Sequence, residues 1–218
     1  TTPYTPPPEA PAIIHADEWI IVVDKPSGLL SVPGRGPDKA DCARARVQQA
    51  YPDALTIHRL DMSTSGLLLF ARSKDVQRTV SAEFERGHVE KSYLADVWQS
   101  PQDETGLIDL PLMNDWPNRP RQKVDHEMGK PSQTRFEVLA RSARAARLRL
   151  TPLTGRTHQL RVHLAALGHP ILGDDLYAHP PALNLVPRLH LHATGLRFRH
   201  PGSGEMVTYE SPCPFETP

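Results

Sequence analysis

The chain has no run of 18 or more apolar residues and no basic segment leading into a short apolar stretch. Neither a membrane span nor a secretory signal is therefore expected, and the cytoplasm is the default compartment. Cysteine is nearly missing. Cys42 and Cys213 stand far apart with no CxxC partner, which excludes a disulfide framework and a zinc ribbon and leaves two reduced thiols. There are eleven histidines but no HExxH. His158 and His163 would fall on different faces of a helix, His190 and His192 alternate as on a strand, and carboxylates are scarce beside them, so no metal site is expected. Neither GxGxxG nor GxxxxGK[ST] appears, which leaves a nucleotide cofactor without support. No internal repeat is visible.

What is present is a chain of 218 residues, long enough to bury a substantial core, with 39% hydrophobic residues and 23 prolines. Several prolines fall in the opening TTPYTPPPEAP, which has no apolar period, so residues 1–17 read as a flexible leader and residues 18–218 as one domain. A formal net charge of zero conceals a division along the chain. Residues 119–161 carry 11 Lys/Arg against 3 Asp/Glu, a local excess of +8, while the flanks are acidic. A local basic segment attracts a polyanion even when the total is neutral. Nineteen of the 25 basic residues are Arg, whose planar fork suits phosphates and base edges. A solvated basic face is the plain alternative.

The periodicities place strands at the β-branched run opening WIIVVDKPSGLLSVPG (19–34), at Leu67–Ala71, at 90–100, at 133–140 and 146–153, and two closing strands in 188–210. Residues 73–87 read as a helix capped by Ser73 and stopped by Gly87, and a short helix fits near Ala40–Ala50. The segment 154–174 reads as a helix capped by Thr157, with Leu160, Leu164 and Leu167 on one face and a stop at Gly168. Residues 101–133 show little periodicity and read as a long loop or extended hairpin, a length that is usually functional. Strands outnumber helices and hairpin-like links dominate. The fold class is α+β, with a mixed, mainly antiparallel sheet.

The stretch HRLDMSTSGLLLFA (58–71) sets His58, Arg59 and Asp61 before an apolar strand. Spacing alone favours Asp61 as a turn-capping carboxylate. A second possibility is that the turn presents it, with Gly66 letting the backbone approach closely. Arg156, in TGRTHQLR, stands at a strand-to-helix turn where anions are already favoured. Were it to reach Asp61, it would hold that carboxylate ionised; binding a backbone carbonyl or a phosphate is the alternative.

Four motifs then point one way. HRLDMSTSGLLLFA resembles the central HRLDxxTSGLL motif of the RluA family of pseudouridine synthases, IVVDKPSGLLSVPG its opening strand and turn, Glu90–Gln99 its Tyr-bearing strand, and GRTHQLRVHLAALGHPILGD its third motif. The match runs over about residues 18 to 210, in the right order. Only about 18 residues precede the first motif, so the S4-type domain carried by some relatives is not expected. The resemblance is nearest to the dual-specificity members, whose RNA-grasping loop PLMNDWPNRPRQKVDHEMGKPSQT is similar to, and it implies a cofactor-free isomerase working as a monomer on tRNA and 23S rRNA.

Carried over, the resemblance makes Asp61 the catalytic carboxylate, acting at ribose C1′ or by abstracting a ribose proton. Tyr93 is then the ring that stacks on the base, Arg156 the basic partner of Asp61, and Leu160 part of an apolar wall. Arg59 enters the stack where the uridine left, with His58 beside it, and the loop 112–133 reads the RNA through Trp116, Arg119, Arg121 and Lys123. Extracting a stacked base costs a few kcal/mol, and stacking on Tyr93 returns about 1–3 kcal/mol. The +8 segment would add phosphate contacts that weaken steeply with salt. Two other readings compete. A silent RNA-binding domain sits poorly with Asp61, Tyr93 and Arg156 occurring together, and a carboxylate hydrolase needs a second acid, for which Asp174 and Asp175 are the candidates.

Overall fold

The computed structural model describes residues 3–218. In chain order the elements are β1 (Ala12–Ala16), β2 (Ile20–Lys25), α1 (Ala43–Ala50), β3 (Leu55–Thr56), β4 (Ser65–Ala71), α2 (Lys74–Glu85), β5 (Glu90–Trp98), β6 (Thr105–Asp109), β7 (Leu112–Asn114), β8 (Gln122–Val124), β9 (Gln133–Arg141), β10 (Ala145–Pro152), α3 (Gln159–Ala166), α4 (Pro180–Leu183), β11 (Leu191–Arg199) and β12 (Met206–Glu210). Among the described residues no helix is long and apolar enough to cross a membrane. The chain divides into two compact units, the chain through Lys91 with Ala193–Pro212, and Ser92–His192 with Cys213–Pro218.

In the first unit the sheet runs β1, β2, β4, β11, with β3 beside β4 and β12 beside β11. β2 pairs antiparallel with β4, Val22 opposite Leu69. All seven residues of β4 are buried, as are Ile20 to Val23 of β2, which is why both read as unbroken apolar runs. The core joins Ile20, Val22, Leu67 and Leu69 to Val76 and Val80 of α2 and to Leu196 and Phe198 of β11. α2 begins as its sequence predicts, the Ser73 side chain accepting the Val76 N–H at 3.2 Å, a cap worth about 1 kcal/mol.

The leader departs from expectation. Thr1 and Thr2 lie outside the described residues, but Ala12–Ala16 forms β1 and pairs antiparallel with β2. The Tyr4 hydroxyl donates to the Asp41 carbonyl and accepts the Leu30 N–H, each at 3.0 Å. Backbone pairing at a sheet edge needs no apolar period, so pattern reading missed it.

In the second unit the order is β5, β10, β9, β6, every neighbour antiparallel. Tyr93 stands opposite Leu150 and Asp96 opposite Arg147. Ala95, Val97, Leu148, Leu150, Leu160 and Leu164 share one core, with Tyr93 packed against it. Asp96 points the other way, fully buried, and takes both arms of the Arg147 fork at 2.9 and 3.0 Å. Of the two readings of 101–133, a long loop or an extended hairpin, the hairpin is present: β7 and β8 pair as two three-residue strands, and β6 completes the sheet on β9.

Thr157 does not cap α3. The helix starts at Gln159 after His158, whose φ of 54° is left-handed and whose side chain makes no cap bond. The +8 excess is partly offset on folding. Arg141, Arg147, Arg149, Arg161 and Lys123 pair with Glu104, Asp96, Glu137, Asp174 and Asp125. The second unit holds 12 basic and 11 acidic residues, a net of +1. Asp96, Glu104 and Asp174 come from outside the segment and lower its excess from +8 to +5, Asp125 and Glu137 being already counted in it.

Candidate active site

Asp61 sits half-buried in a turn that leads directly into β4. The turn is fastened carbonyl by carbonyl. The Ser31 hydroxyl donates to Leu60 O at 2.7 Å and accepts the Leu60 N–H at 3.0 Å. Thr64 N–H closes onto Asp61 O at 3.1 Å. Met62 O takes the Gly28 N–H at 2.8 Å and the Lys25 ammonium at 3.1 Å, and Ser63 O takes the Ser27 hydroxyl at 2.7 Å. Lys25 is fully buried, its ammonium also donating to Pro26 O at 3.0 Å and Leu29 O at 2.7 Å. A buried cation surrounded by carbonyl dipoles survives only where those dipoles are fixed, so Lys25 rigidifies the turn beside Asp61. Gly66 is required by contact as well as conformation: its φ is 115°, and an added Cβ would lie 2.2 Å from Ala193 O.

His58, grouped with the RNA-binding residues by resemblance, is spent inside the fold. Its Nε2 accepts the Leu69 N–H at 3.0 Å, and its ring stacks on Phe84 with centroids 4.6 Å apart. Burial, with the Lys91 ammonium adding to it, pushes its pKa down to about 3, so the ring is neutral. Arg59 next to it is exposed.

Tyr93, Arg156 and Leu160 belong to the second unit. Tyr93 is half-buried on β5 against the core, and Leu160 is buried on the first turn of α3. Arg156 is exposed, its Nε donating to Pro131 O at 3.3 Å, which is the backbone alternative the sequence left open. The turn carrying Arg156 is organised by Gln159. Its Oε1 accepts the Thr154 hydroxyl at 2.7 Å and the Arg156 N–H at 3.1 Å, while its Nε2 donates to Gln133 O and the Thr134 hydroxyl.

The hairpin residues gather at one tip. Trp116 is 60% exposed, and the Arg119 guanidinium lies 4.9 Å from its ring centroid. Arg121 lies over Tyr177 at 5.3 Å, and Lys123 pairs with Asp125 at 3.5 Å. An exposed indole backed by a cation is a stacking platform that any base can use.

Two other clusters are settled by their bonds. Asp174, considered as a second acid, is fully buried and held by Arg161 at 2.7 and 2.9 Å, with Asp175 at 3.3 Å from the same guanidinium. His15, Asp17 and His200 bring three ligand-type atoms together in the first unit. The His200 Nδ1 accepts the N–H groups of Gly202 and Ser203, so its proton sits on Nε2 and goes to Asp17 Oδ2 at 2.7 Å. That tautomer suits a hydrogen-bonded clamp and not a metal ligand. Burial works to raise the Asp17 pKa, but bonds from His15, the Ile20 and Trp19 N–H groups and His200 outweigh it and hold the carboxyl well below its usual value.

Sequence reading missed Lys25, Gln159 and Tyr177. Only Lys25 left a signal, a charge closing the apolar run IIVVDK.

The comparisons with known proteins agree with one another. The family described as RNA pseudouridylate synthase matches residues 19–166. The Dual-specificity RNA pseudouridine synthase RluA of Salmonella typhi is 51% identical over 212 residues, covering 96% of this chain and 97% of that protein. The protein of the same name from Escherichia coli (strain K12) is 50% identical with the same coverage. Among solved structures, Human RNA Pseudouridylate Synthase Domain Containing 1 matches with a TM-score of 0.80 at 30% identity, covering 97% of this chain and 88% of that one. Human RNA Pseudouridylate Synthase Domain Containing 4 gives 0.73 at 25%, covering 93% and 88%.

Proposed function

This chain belongs to the RNA pseudouridylate synthase family, and on that premise we propose that it isomerises uridine to pseudouridine in two cytoplasmic RNAs, at a tRNA anticodon-loop uridine and a 23S rRNA hairpin-loop uridine. The relatives at 50–51% identity carry dual specificity in their names, which supports two substrates. Breaking and remaking a bond between the same base and sugar consumes no cofactor.

Asp61 is the catalytic carboxylate in this reading, adding to ribose C1′ or removing a ribose proton. Uracil leaves as an anion, turns, and rejoins C1′ through C5, after which the C5 proton departs. Tyr93 offers the ring on which the base stacks, Leu160 the apolar wall, and Arg156 the cation beside the reacting anions. Arg59 takes the place of the extruded uridine in the RNA stack, at a cost in unstacking of a few kcal/mol. Trp116, Arg119 and Arg121 read the loop, where bases are accessible. The observation that carries the reading is the Asp61 turn, in which the carbonyls of residues 60 to 63 are all engaged and a single carboxylate is held at the mouth of a fully buried strand.

Transcripts tritiated at uridine C5 test it. The protein should release tritium from an anticodon stem-loop and from the rRNA hairpin, and Asp61→Asn should release none. Release undiminished in that variant removes Asp61 from the chemistry.

A further inference from the structure

The hairpin of β7 and β8 is too short to stand alone, since two three-residue strands bury almost nothing. Its base is tied by mutual bonds between Leu112 and Lys130 at 3.0 and 2.8 Å. Its far end is tied by one oxygen. The Tyr177 hydroxyl accepts the Gln122 N–H at 2.9 Å and lies 2.6 Å from His158 Nδ1. The ring of Tyr177 carries the guanidinium groups of Arg121 at 5.3 Å and Arg161 at 5.4 Å, and Arg161 is itself locked to the buried Asp174. Asp174 also accepts the Tyr177 N–H at 3.2 Å, so the tyrosine is anchored through both backbone and ring.

His158 explains why this arrangement is more than packing. It is one of two non-glycine residues with positive φ among those described, and it sits at the N-terminus of α3 without capping it. A left-handed His carries a conformational cost that persists only where surrounding contacts impose it. The Tyr177 hydroxyl at 2.6 Å is among the contacts that hold it.

We propose that Tyr177 is a positioning residue for RNA recognition, its hydroxyl fixing the angle of the Trp116 hairpin against the start of α3; the inference rests on the hairpin's being the RNA reader. Tyr177→Phe keeps the ring and both cation contacts but leaves the Gln122 N–H and the His158 ring without their oxygen. Removing a shared hydrogen-bond partner of this kind weakens what it positions by about tenfold.

The experiment measures Kd for the anticodon stem-loop by fluorescence anisotropy, together with KM, kcat and Tm, in wild type, Tyr177→Phe, Trp116→Ala and the double variant. Kd and KM should rise about tenfold in Tyr177→Phe while kcat changes less than about threefold. The double variant should bind far better than the product of the two single effects predicts, because the hydroxyl acts through the hairpin. An unchanged Kd overturns the proposal. So do multiplicative effects, or a fall of kcat and Tm together with KM unmoved. If wild type binds the RNA but releases no tritium, the isomerase reading fails while the Kd comparison still decides the role of Tyr177.

Discussion

Two polar turns of similar size are built in opposite ways. The Asp61 turn spends its backbone on the rest of its unit: Ser31, Ser27, Gly28 and Lys25 each reach into it, and it runs straight into seven buried residues. The Trp116 turn spends its backbone mainly on itself, Asp115 N–H bonding to Arg121 O at 2.9 Å and Asn118 N–H to Asp115 O at 3.0 Å, between strands of three residues. It also leaves a large apolar side chain in water. A carboxylate that must meet one carbon needs placement within about 0.5 Å. A surface that stacks on more than one RNA loop gains from give. Under the proposed function the contrast is between a seat for chemistry and an adaptable reader, and four outcomes would break or sharpen it.

Asp61→Asn carries the largest expected effect, a loss of activity of about 10³-fold or more, as for removal of a group that acts in the bond-breaking step. The folding transition and the Kd for RNA should move far less, because the fastenings of the turn run through the backbone carbonyls of residues 60 to 63, which the substitution keeps. Lys25→Met comes next. Deleting a fully buried ammonium takes the donor from the Pro26 and Leu29 carbonyls and leaves Met62 O with the Gly28 N–H alone, and should cost on the order of 3 kcal/mol, read as a lower denaturant midpoint. Activity should fall with it, while RNA binding through the hairpin persists. Loss of binding in Lys25→Met at a temperature where the chain is folded would show that the two turns are not separable.

Much of the first turn was legible in the sequence because it is local. HRLD before SGLLLFA announces polar residues at the lip of a buried strand, and the Ser73 cap and Gly87 stop of α2 are one-residue signals with known geometry. The hairpin was less legible. Its strands are too short to show a period, and its outer tie comes from Tyr177, 55 positions from Gln122. The charge reading was incomplete for the same reason. A window of 43 residues sees the cations of 119–161 but not Glu104, Asp96 or Asp174, which meet them only in the folded unit. β1 escaped because edge pairing is a backbone affair.

The reduction of the +8 excess adds weight to stacking at the reader. Trp116→Ala should weaken RNA binding by about 1–3 kcal/mol, the range for one base–aromatic contact, and leave Tm within a degree or two because the indole is mostly in water. The salt slope of binding should be shallower than the segment's eleven cations would give if all met phosphates, since five of them already have carboxylate partners. A steep slope with Trp116→Ala binding normally would make the reader electrostatic and erase half of the contrast.

The smallest effect lies beneath the turns, where each region rests on a buried imidazole. His58 supports β4 through the Leu69 N–H, and His163 supports the hairpin's base through Leu110 O at 2.9 Å and the Thr134 hydroxyl at 2.9 Å. Burial lowers both pKa values, that of His58 to about 3 and that of His163 against the opposing pull of Leu110 O and Asp109. In the unfolded chain each His takes up a proton near its ordinary value of about 6.5. Between that pH and the folded value the unfolded state binds more protons, so stability is fully present above about 6.5 and is lost as pH falls through the window toward 3. The slope from one such group cannot exceed about 1.4 kcal/mol per pH unit. His58→Gln retains an acceptor for Leu69 while removing the titration, and should flatten the stability curve between pH 6 and 4 without moving activity at neutral pH by more than a few fold. His163→Gln should flatten it less, because the Leu110 carbonyl and Asp109 oppose the burial that lowers His163. Equal flattening by the two variants would mean that the two imidazoles are kept neutral to the same degree, and would remove this asymmetry between the supports of the two turns.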